Sequence, residues 1–171
     1  KTQANIRLAY RIPKLNKKER IAFSVMSRIL TAGFSARLMK KLRDEEGLIY
    51  GVYFYRDIFV GGLSYATFGT ACKKENKEKV FEIIKTEVKK LSTDVTQKEI
   101  ENVVPIIEYY EAKGVSVNSD VAAFMDSELY AQEYIPSKEF VKLIKQIKTS
   151  DIKALINKLF KEENEVQVVL E

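Results

Sequence analysis

The sequence contains no histidine and a single cysteine, Cys72, among its 171 residues. Because a histidine-containing zinc site, a Ser-His-Asp triad and a Cys-His pair all need histidine, this chain alone can build none of them. One cysteine forms neither an intramolecular disulfide nor a cysteine-rich metal cluster. The residue types therefore provide no self-sufficient active site, and we expect no metal ligands and no cofactor-binding residues within this chain.

Long apolar runs and a strong charge imbalance are also missing. No apolar run approaches the roughly 18 residues of a membrane-spanning helix, so we expect no transmembrane segment. The net charge of +5 is mild, and the lysine pairs are scattered along the chain without interleaved aromatic side chains. This pattern is typical of solvated surface, and we expect no nucleic-acid partner.

The composition supports a folded domain. Hydrophobic residues make up 46% of the chain and charged residues 31%, which is enough for a buried core. We expect residues 1–171 to form a single domain. Since Lys1 already lies in a strand-like pattern and no initiator methionine precedes it, we also expect the chain to be a piece of a longer protein.

Three segments have the pattern of β-strands. Residues 4–12 alternate between apolar and polar side chains, which predicts a half-buried strand that ends at Pro13. Residues 48–58 and 62–72 are rich in β-branched and aromatic side chains, and Gly61-Gly62 between them predicts a hairpin turn. Both faces of the first hairpin strand are apolar or aromatic, which indicates a strand in the middle of the sheet.

Helical spacing and capping signals fill most of the remaining chain. Asn16 with Glu19 and Thr96 with Glu99 have the spacing of capping boxes, and Ser35 could cap a short second helix. Pro105 inside the helix after Thr96 should kink or split it. Further helices are expected over 119–132, 138–147 and 150–161, with caps at Asn118 or Ser119, Ser137 and Ser150. A closing strand follows, in which Val166, Val168 and Leu170 face one way.

The resulting order is strand, two helices, hairpin, a long helical run and a strand. This order predicts an α+β fold with a mainly antiparallel sheet and helices packed on one face.

One segment is more specific than these patterns. Residues 30–52 read LTAGFSARLMKKLRDEEGLIYGV. This block resembles the C-terminal-type, non-zinc domain of the pitrilysin/insulinase family of zinc metallopeptidases, the inverzincins, whose zinc domain carries H-x-x-E-H. The opening strand, the Thr96–Glu99 helix start and the ending over 149–170 are similar to the same family, so the resemblance covers nearly the whole chain.

The resemblance implies that the chain is one domain of the mitochondrial processing peptidase-like metallohydrolase fold. It also implies that two halves of the enzyme supply different catalytic groups. Two similar halves of such an enzyme close around an unfolded peptide, and the zinc lies in the other half, on the same chain or a partner subunit. The half without zinc contributes an Arg and a Tyr that contact the substrate backbone near the scissile bond. These residues correspond here to Arg43 and Tyr50. The resemblance therefore implies peptide hydrolysis in a dimer of halves and an inactive isolated chain.

Alternatives remain open for both the site and the function. Arg43 could simply pair with Glu46 or Asp44, and Tyr50 could pack in the sheet. The absence of H-x-x-E-H means that this piece is not the zinc-bearing domain. Arg37 is interpreted as a structural residue that ties a helix to the sheet. The alternative function is a catalytically inactive paralogue that serves as a structural or interaction subunit.

Overall fold

Four strands and seven helices make up the computed structural model, which describes residues 3–60, 62–114 and 117–171 and, at 114, 117 and 118, the backbone alone. The strands are β1 (Gln3–Ile12), β2 (Ile49–Ile58), β3 (Ser64–Lys73) and β4 (Glu165–Leu170). The helices are α1 (Lys17–Thr31), α2 (Arg37–Met39), α3 (Lys77–Asp94), α4 (Gln97–Gly114), α5 (Val117–Leu129), α6 (Ser137–Ile144) and α7 (Thr149–Leu159). Helix α2 continues directly as a π-helix over Lys40–Glu45.

The sheet is antiparallel throughout, with the strand order β2-β3-β1-β4. The alternation along β1 shows which face of the sheet the helices cover. Ile6, Leu8 and Tyr10 are buried, and the residues between them are not. On β4, Val166, Val168 and Leu170 lie opposite the outward residues of β1, as the pattern predicts. The α+β fold with an antiparallel sheet is confirmed.

The position of β2 differs from the prediction, because β2 is an edge strand and not a central one. Its inward residues Val52 and Phe54 are buried, whereas Tyr50 and Tyr53 on the other face are 88% and 43% exposed. These aromatic side chains lie on a face that no helix of the described chain covers. Strand β2 therefore has apolar or aromatic side chains on both faces, although the described helices cover only one of them.

The core lies between the sheet and the helices. Helix α7 contacts both α1 and α3, and each of the three helices contacts the sheet. Burial of each large side chain in this layer contributes about 1.5–3 kcal/mol relative to exposure. The largest fully buried side chains are Phe68, Phe81, Ile6, Leu8, Ile21, Met26, Leu30, Leu38, Leu42, Ile84, Leu91 and Ile100.

Two helix starts follow the predicted chemistry. The Glu19 amide donates to Asn16 Oδ1 at 2.9 Å, and the Asn16 amide donates to Glu19 Oε2 at 2.9 Å. The Thr96 amide donates to Glu99 Oε2 at 2.9 Å, and the Glu99 amide donates to Thr96 Oγ1 at 3.3 Å. Both capping boxes are confirmed.

The predicted serine caps are wrong. Ala36, not Ser35, precedes α2 and makes no side-chain cap, and Pro136 precedes α6. Helix α7 begins one residue before Ser150, because the Lys148 amide donates to Asp151 Oδ2 at 3.0 Å. Ser119 lies inside α5. The predicted Gly61 turn position and the side chain of Asn118 lie outside the described residues.

Helix α4 continues through Pro105 and is not split there. Proline removes the amide that would bond the carbonyl of Glu101, but both residues are exposed, so water can satisfy that carbonyl. Nowhere in 3–60, 62–114 or 117–171 does a helix have both the length and the apolar character of a transmembrane span.

Candidate functional site

Arg43 lies in the π-helix that follows α2. The wider turn is marked by the Glu46 amide, which donates to the carbonyl of Lys41 five residues back, at 3.2 Å. Leu38 and Leu42 anchor this segment in the core with no exposed surface. An extra residue in a helical turn rotates the side chains that follow, and such turns occur frequently at functional sites. Here the turn leaves Arg43 only partly buried.

Gly47 reverses the chain between Arg43 and β2. Its φ of +62° lies in the left-handed region, which glycine adopts without steric cost. The Leu48 amide then donates to the carbonyl of Leu42 at 2.8 Å, which closes the turn. Strand β2 therefore begins next to the end of the π-helix.

Tyr50 lies in a β-bulge at the start of β2. Ile49 pairs with Cys72 and Val52 pairs with Thr70, so two residues of β2, Tyr50 and Gly51, lie opposite one residue of β3. The Thr70 hydroxyl donates to the carbonyl of Gly51 at 2.6 Å and holds the bulge from the buried side. As a result Tyr50 projects from the helix-free face of the sheet.

The two residues converge. The guanidinium carbon of Arg43 lies 5.4 Å from the ring centroid of Tyr50 and 4.9 Å from that of Phe34. Both rings are largely exposed, at 88% and 73%. Arg43 thus lies between two aromatic faces at an open corner of the molecule, which we call the Arg43 corner (Phe34, Arg43 and Tyr50).

Local ion pairing does not account for Arg43. The carboxylate of Glu46 lies 2.6 Å from Lys79 Nζ and 3.4 Å from Lys41 Nζ. Within the described part of the chain, Arg43 makes no ion pair, and Tyr50 is not packed in the sheet. The alternative of an Arg43–Glu46 or Arg43–Asp44 pair is therefore not what the structure shows. The donors of Arg43 remain available to a second molecule.

Arg37 has a structural position, although its partners differ from the prediction. Its Nε and Nη2 donate to the two oxygens of Glu99 at 2.6 and 2.8 Å, and its Nη1 donates to Asp94 Oδ1 at 2.5 Å. It therefore ties α2 to the junction between α3 and α4 and not to the sheet. Burial opposes the charge, but the bonds to Glu99 and Asp94 outweigh it and raise the pKa of the guanidinium.

The donor set of the chain does not fit a zinc ion. No histidine is present, and Cys72 is buried. Over the described ranges, no group of three or more Cys, Asp and Glu side chains is placed to hold a metal ion.

Phe34 is the member of the corner that the sequence analysis did not identify. It is the one aromatic residue in the small-residue stretch TAGFSA, near the start of the block over residues 30–52. An aromatic side chain in a short loop of small residues is a usable signal, because such a loop cannot bury it.

Comparison with known proteins agrees with the resemblance seen in the sequence. A curated relative from Rickettsia felis, described as an uncharacterized zinc protease, is 24% identical over 156 residues. The alignment covers 86% of this chain and 36% of that relative, so the chain spans about a third of the relative's length.

Solved structures share the fold. A protease from Helicobacter pylori aligns with a TM-score of 0.86 at 19% identity, over 100% of this chain and 42% of that one. A peptidase M16 inactive domain from Pseudomonas fluorescens aligns with a TM-score of 0.80 at 22% identity, over 99% of this chain and 41% of that one. Residues 1–105 match the sequence model of the family described as "Peptidase M16 inactive domain". On that match, this chain belongs to the family of peptidase M16 inactive domains.

Proposed function

We propose that the chain is the non-zinc domain of a pitrilysin/insulinase-like zinc metalloendopeptidase. In this role it forms a wall of the peptide chamber and binds the peptide backbone through Arg43 and Tyr50 during hydrolysis. The supporting observation is the Arg43 corner, where a guanidinium with no carboxylate partner among the described residues lies 5.4 Å from the ring centroid of an exposed tyrosine. A π-helix, a left-handed glycine and a β-bulge follow one another to produce this placement.

The chemistry follows from the two side chains. Arg43 presents a planar set of N–H donors, which matches the carbonyl oxygen of a bound peptide. The phenol of Tyr50 is a neutral donor that can bond the same region as negative charge develops on oxygen in the transition state. Arg43 would therefore contribute to binding the substrate, and Tyr50 would contribute mainly to the rate.

The proposal requires a partner that carries the metal. We propose that an H-x-x-E-H domain, on the same polypeptide or on a second subunit, supplies the zinc and forms a dimer of halves with this domain. The helix-free face supports a covering partner, because Tyr53, Val168 and Leu170 are 43%, 52% and 68% exposed there. The substrates would be unfolded peptides that fit between the halves.

The test is Tyr50→Phe in the assembled enzyme, with the zinc-bearing half present and a fluorescence-quenched peptide as substrate. The change removes one hydroxyl and keeps the ring beside Arg43. Because one donor to a developing oxyanion is worth about 10²–10³-fold, kcat should fall by that factor. Arg43→Ala should also raise KM, since its contact already exists in the bound ground state.

Tyr53→Phe is the matched control, because Tyr53 is an exposed tyrosine three residues along the same strand. It should leave kcat unchanged. If Tyr50→Phe also keeps the wild-type kcat, the proposal is wrong and Tyr50 only fills the bulge. In that case a role as a structural or interaction subunit would be favoured.

A further inference from the structure

Two arginines outside the Arg43 corner share one neutral oxygen. Arg20 lies on α1 and Arg56 on β2. Arg20 Nη1 and Arg56 Nη2 each donate to Oε1 of Gln132, and both distances are 3.1 Å. Two like charges are therefore held within hydrogen-bond reach of a single amide oxygen, which carries no charge to offset them.

The arginine pair (Arg20 and Arg56) is half-buried, and in the part of the chain that the structure describes neither guanidinium is bonded to a carboxylate. Within the described residues Arg56 makes no ion pair, and the second bond of Arg20 goes to the backbone carbonyl of Glu133. The Glu133 carboxylate instead lies 2.9 Å from Lys17 Nζ. Burial and the neighbouring charge of Arg20 lower the pKa of Arg56 to about 10. Arg56 thus holds a partly desolvated positive charge without a bonded carboxylate, whereas the Glu133 carboxylate offsets part of the charge of Arg20 through space.

The arginine pair faces a cleft of about 410 Å³ between α1, β2 and the segment after α5. This volume lies in the range of small-ligand sites. Glu111, Asp126 and Glu133 also line the same cleft, and the Glu133 carboxylate is held by Lys17 Nζ at 2.9 Å. The cleft therefore has a basic end that attracts an anion and acidic groups that disfavour a large negative charge.

The loop that carries Gln132 is held in an uncommon conformation. Ala131 has a φ of +48°, in the left-handed region that a residue with a Cβ rarely adopts. The Gln132 amide donates to the carbonyl of Ser127 at 2.7 Å, which fixes the backbone at this point. The backbone conformation is therefore fixed at this point, whereas the Gln132 side chain can move away from the arginine pair by rotation about its own bonds.

We propose that the arginine pair binds a carboxylate group of a peptide, whose oxygen takes the position that Gln132 Oε1 occupies. A carboxylate has a planar pair of oxygens that matches two guanidinium groups, and its single charge offsets part of theirs. A phosphate dianion fits less well beside Glu111 and Asp126. The inference rests on the proposed function in one respect, since it names carboxylate-bearing peptides as ligands of this domain.

The test uses the full 171-residue chain and four probes in calorimetric titrations at low salt. The first is N-acetyl-tetraalanine with a free carboxylate, and the second is the same peptide as its amide. The third is the amide with one alanine replaced by glutamate, and the fourth is inorganic phosphate. The first and third probes distinguish a terminal carboxylate from a side-chain carboxylate. We expect at least one of them to bind, and the neutral amide not to bind.

Variants locate the binding. Arg56→Ala removes one of the two guanidinium groups and should weaken binding by about tenfold or more, as expected for charge-assisted hydrogen bonds. Gln132→Ala removes the competing oxygen and should strengthen binding. Arg11→Ala is the matched control, because Arg11 is an exposed arginine on β1 and does not line this cleft. It should leave the affinity unchanged.

Four results would overturn the proposal. These are no binding of either carboxylate peptide, equal binding of the neutral amide, no effect of Arg56→Ala, and tighter binding of phosphate than of either carboxylate. If Arg56→Ala does not fold, Arg56→Lys replaces it, because lysine keeps the charge and loses the fork, so binding should still weaken. Failure here leaves the role of Tyr50 untouched, since that role is measured by the rate of hydrolysis.

Discussion

Arg37 and Arg43 lie six residues apart on one helical segment, and the chain uses them in opposite ways. Arg37 gives three donors to two carboxylates, and its side chain is only 16% exposed. Arg43 has no carboxylate partner in the described residues and lies between two exposed aromatic rings. The difference shows that a guanidinium holds the fold when acidic side chains surround it and stays available to a ligand when only rings do.

The largest effect on stability should come from Arg37→Ala. The substitution leaves Glu99 and Asp94 without their shared partner at the junction of α3 and α4. Because the site is partly exposed, we expect a loss of about 2 kcal/mol, below the 3–5 kcal/mol typical of a fully buried pair. Urea denaturation measures this loss. A change within 0.5 kcal/mol, roughly the size of an ordinary surface substitution, would remove the contrast between the two arginines.

Acid should weaken the same junction by a smaller amount. Burial raises the pKa of the Glu99 carboxyl, but the bonds from Arg37 and from the Thr96 amide outweigh it and hold the pKa below its ordinary value of 4.5. A lowered pKa means that Glu99 contributes stability above about pH 4.5 and loses it as the pH falls through the lowered value. We expect this contribution to be about 1 kcal/mol.

Other carboxyl groups with lowered pKa values also titrate in this range. The quantity to measure is therefore the difference in unfolding free energy between the wild type and a variant that lacks the Glu99 carboxyl. The free energy of unfolding of the wild type and of Glu99→Gln should converge as the pH falls from 6 to 3. Parallel curves over that interval would mean that the Arg37–Glu99 bond does not depend on the charge of Glu99.

The smallest effect on stability should come from Tyr50→Phe, within about 0.5 kcal/mol, because the hydroxyl is on the surface. Arg43→Ala should cost at most about 1 kcal/mol, since it removes only exposed cation–π contacts. Thermal melting of each variant against the wild type measures both. A loss as large as that of Arg37→Ala would show that the Arg43 corner serves the fold, which would weaken its assignment to substrate binding.

The features that the sequence predicted well are those decided by near neighbours. The alternation of β1 and the two capping boxes involve residues two to three positions apart, and each has the expected geometry. Arg43 and Tyr50 were identified through the family resemblance; the structure places them beside one another, and their role in catalysis stays a prediction.

The features that were missed depend on distant contacts. The edge position of β2 is set by how β1 pairs with β3 and β4, which no local pattern encodes. Glu99 is 62 residues from Arg37, and Gln132 is 76 residues from Arg56. The π-helix was also missed, since its sequence has ordinary helical residues and the wider turn is marked by the hydrogen bond from the Glu46 amide to the carbonyl of Lys41.

The π-helix also makes the chain length critical between α2 and β2. Each residue of a helix turns the next side chain by a fixed angle, so deleting one residue from Lys40–Glu45 would rotate the side chains after it relative to the core. A deletion before Leu42 would displace Leu42 and Arg43, and a deletion after Arg43 would displace the start of β2. The segment that links Arg43 to Tyr50 should therefore tolerate substitution more readily than insertion or deletion, a constraint that acts on the count of residues as well as on their identity.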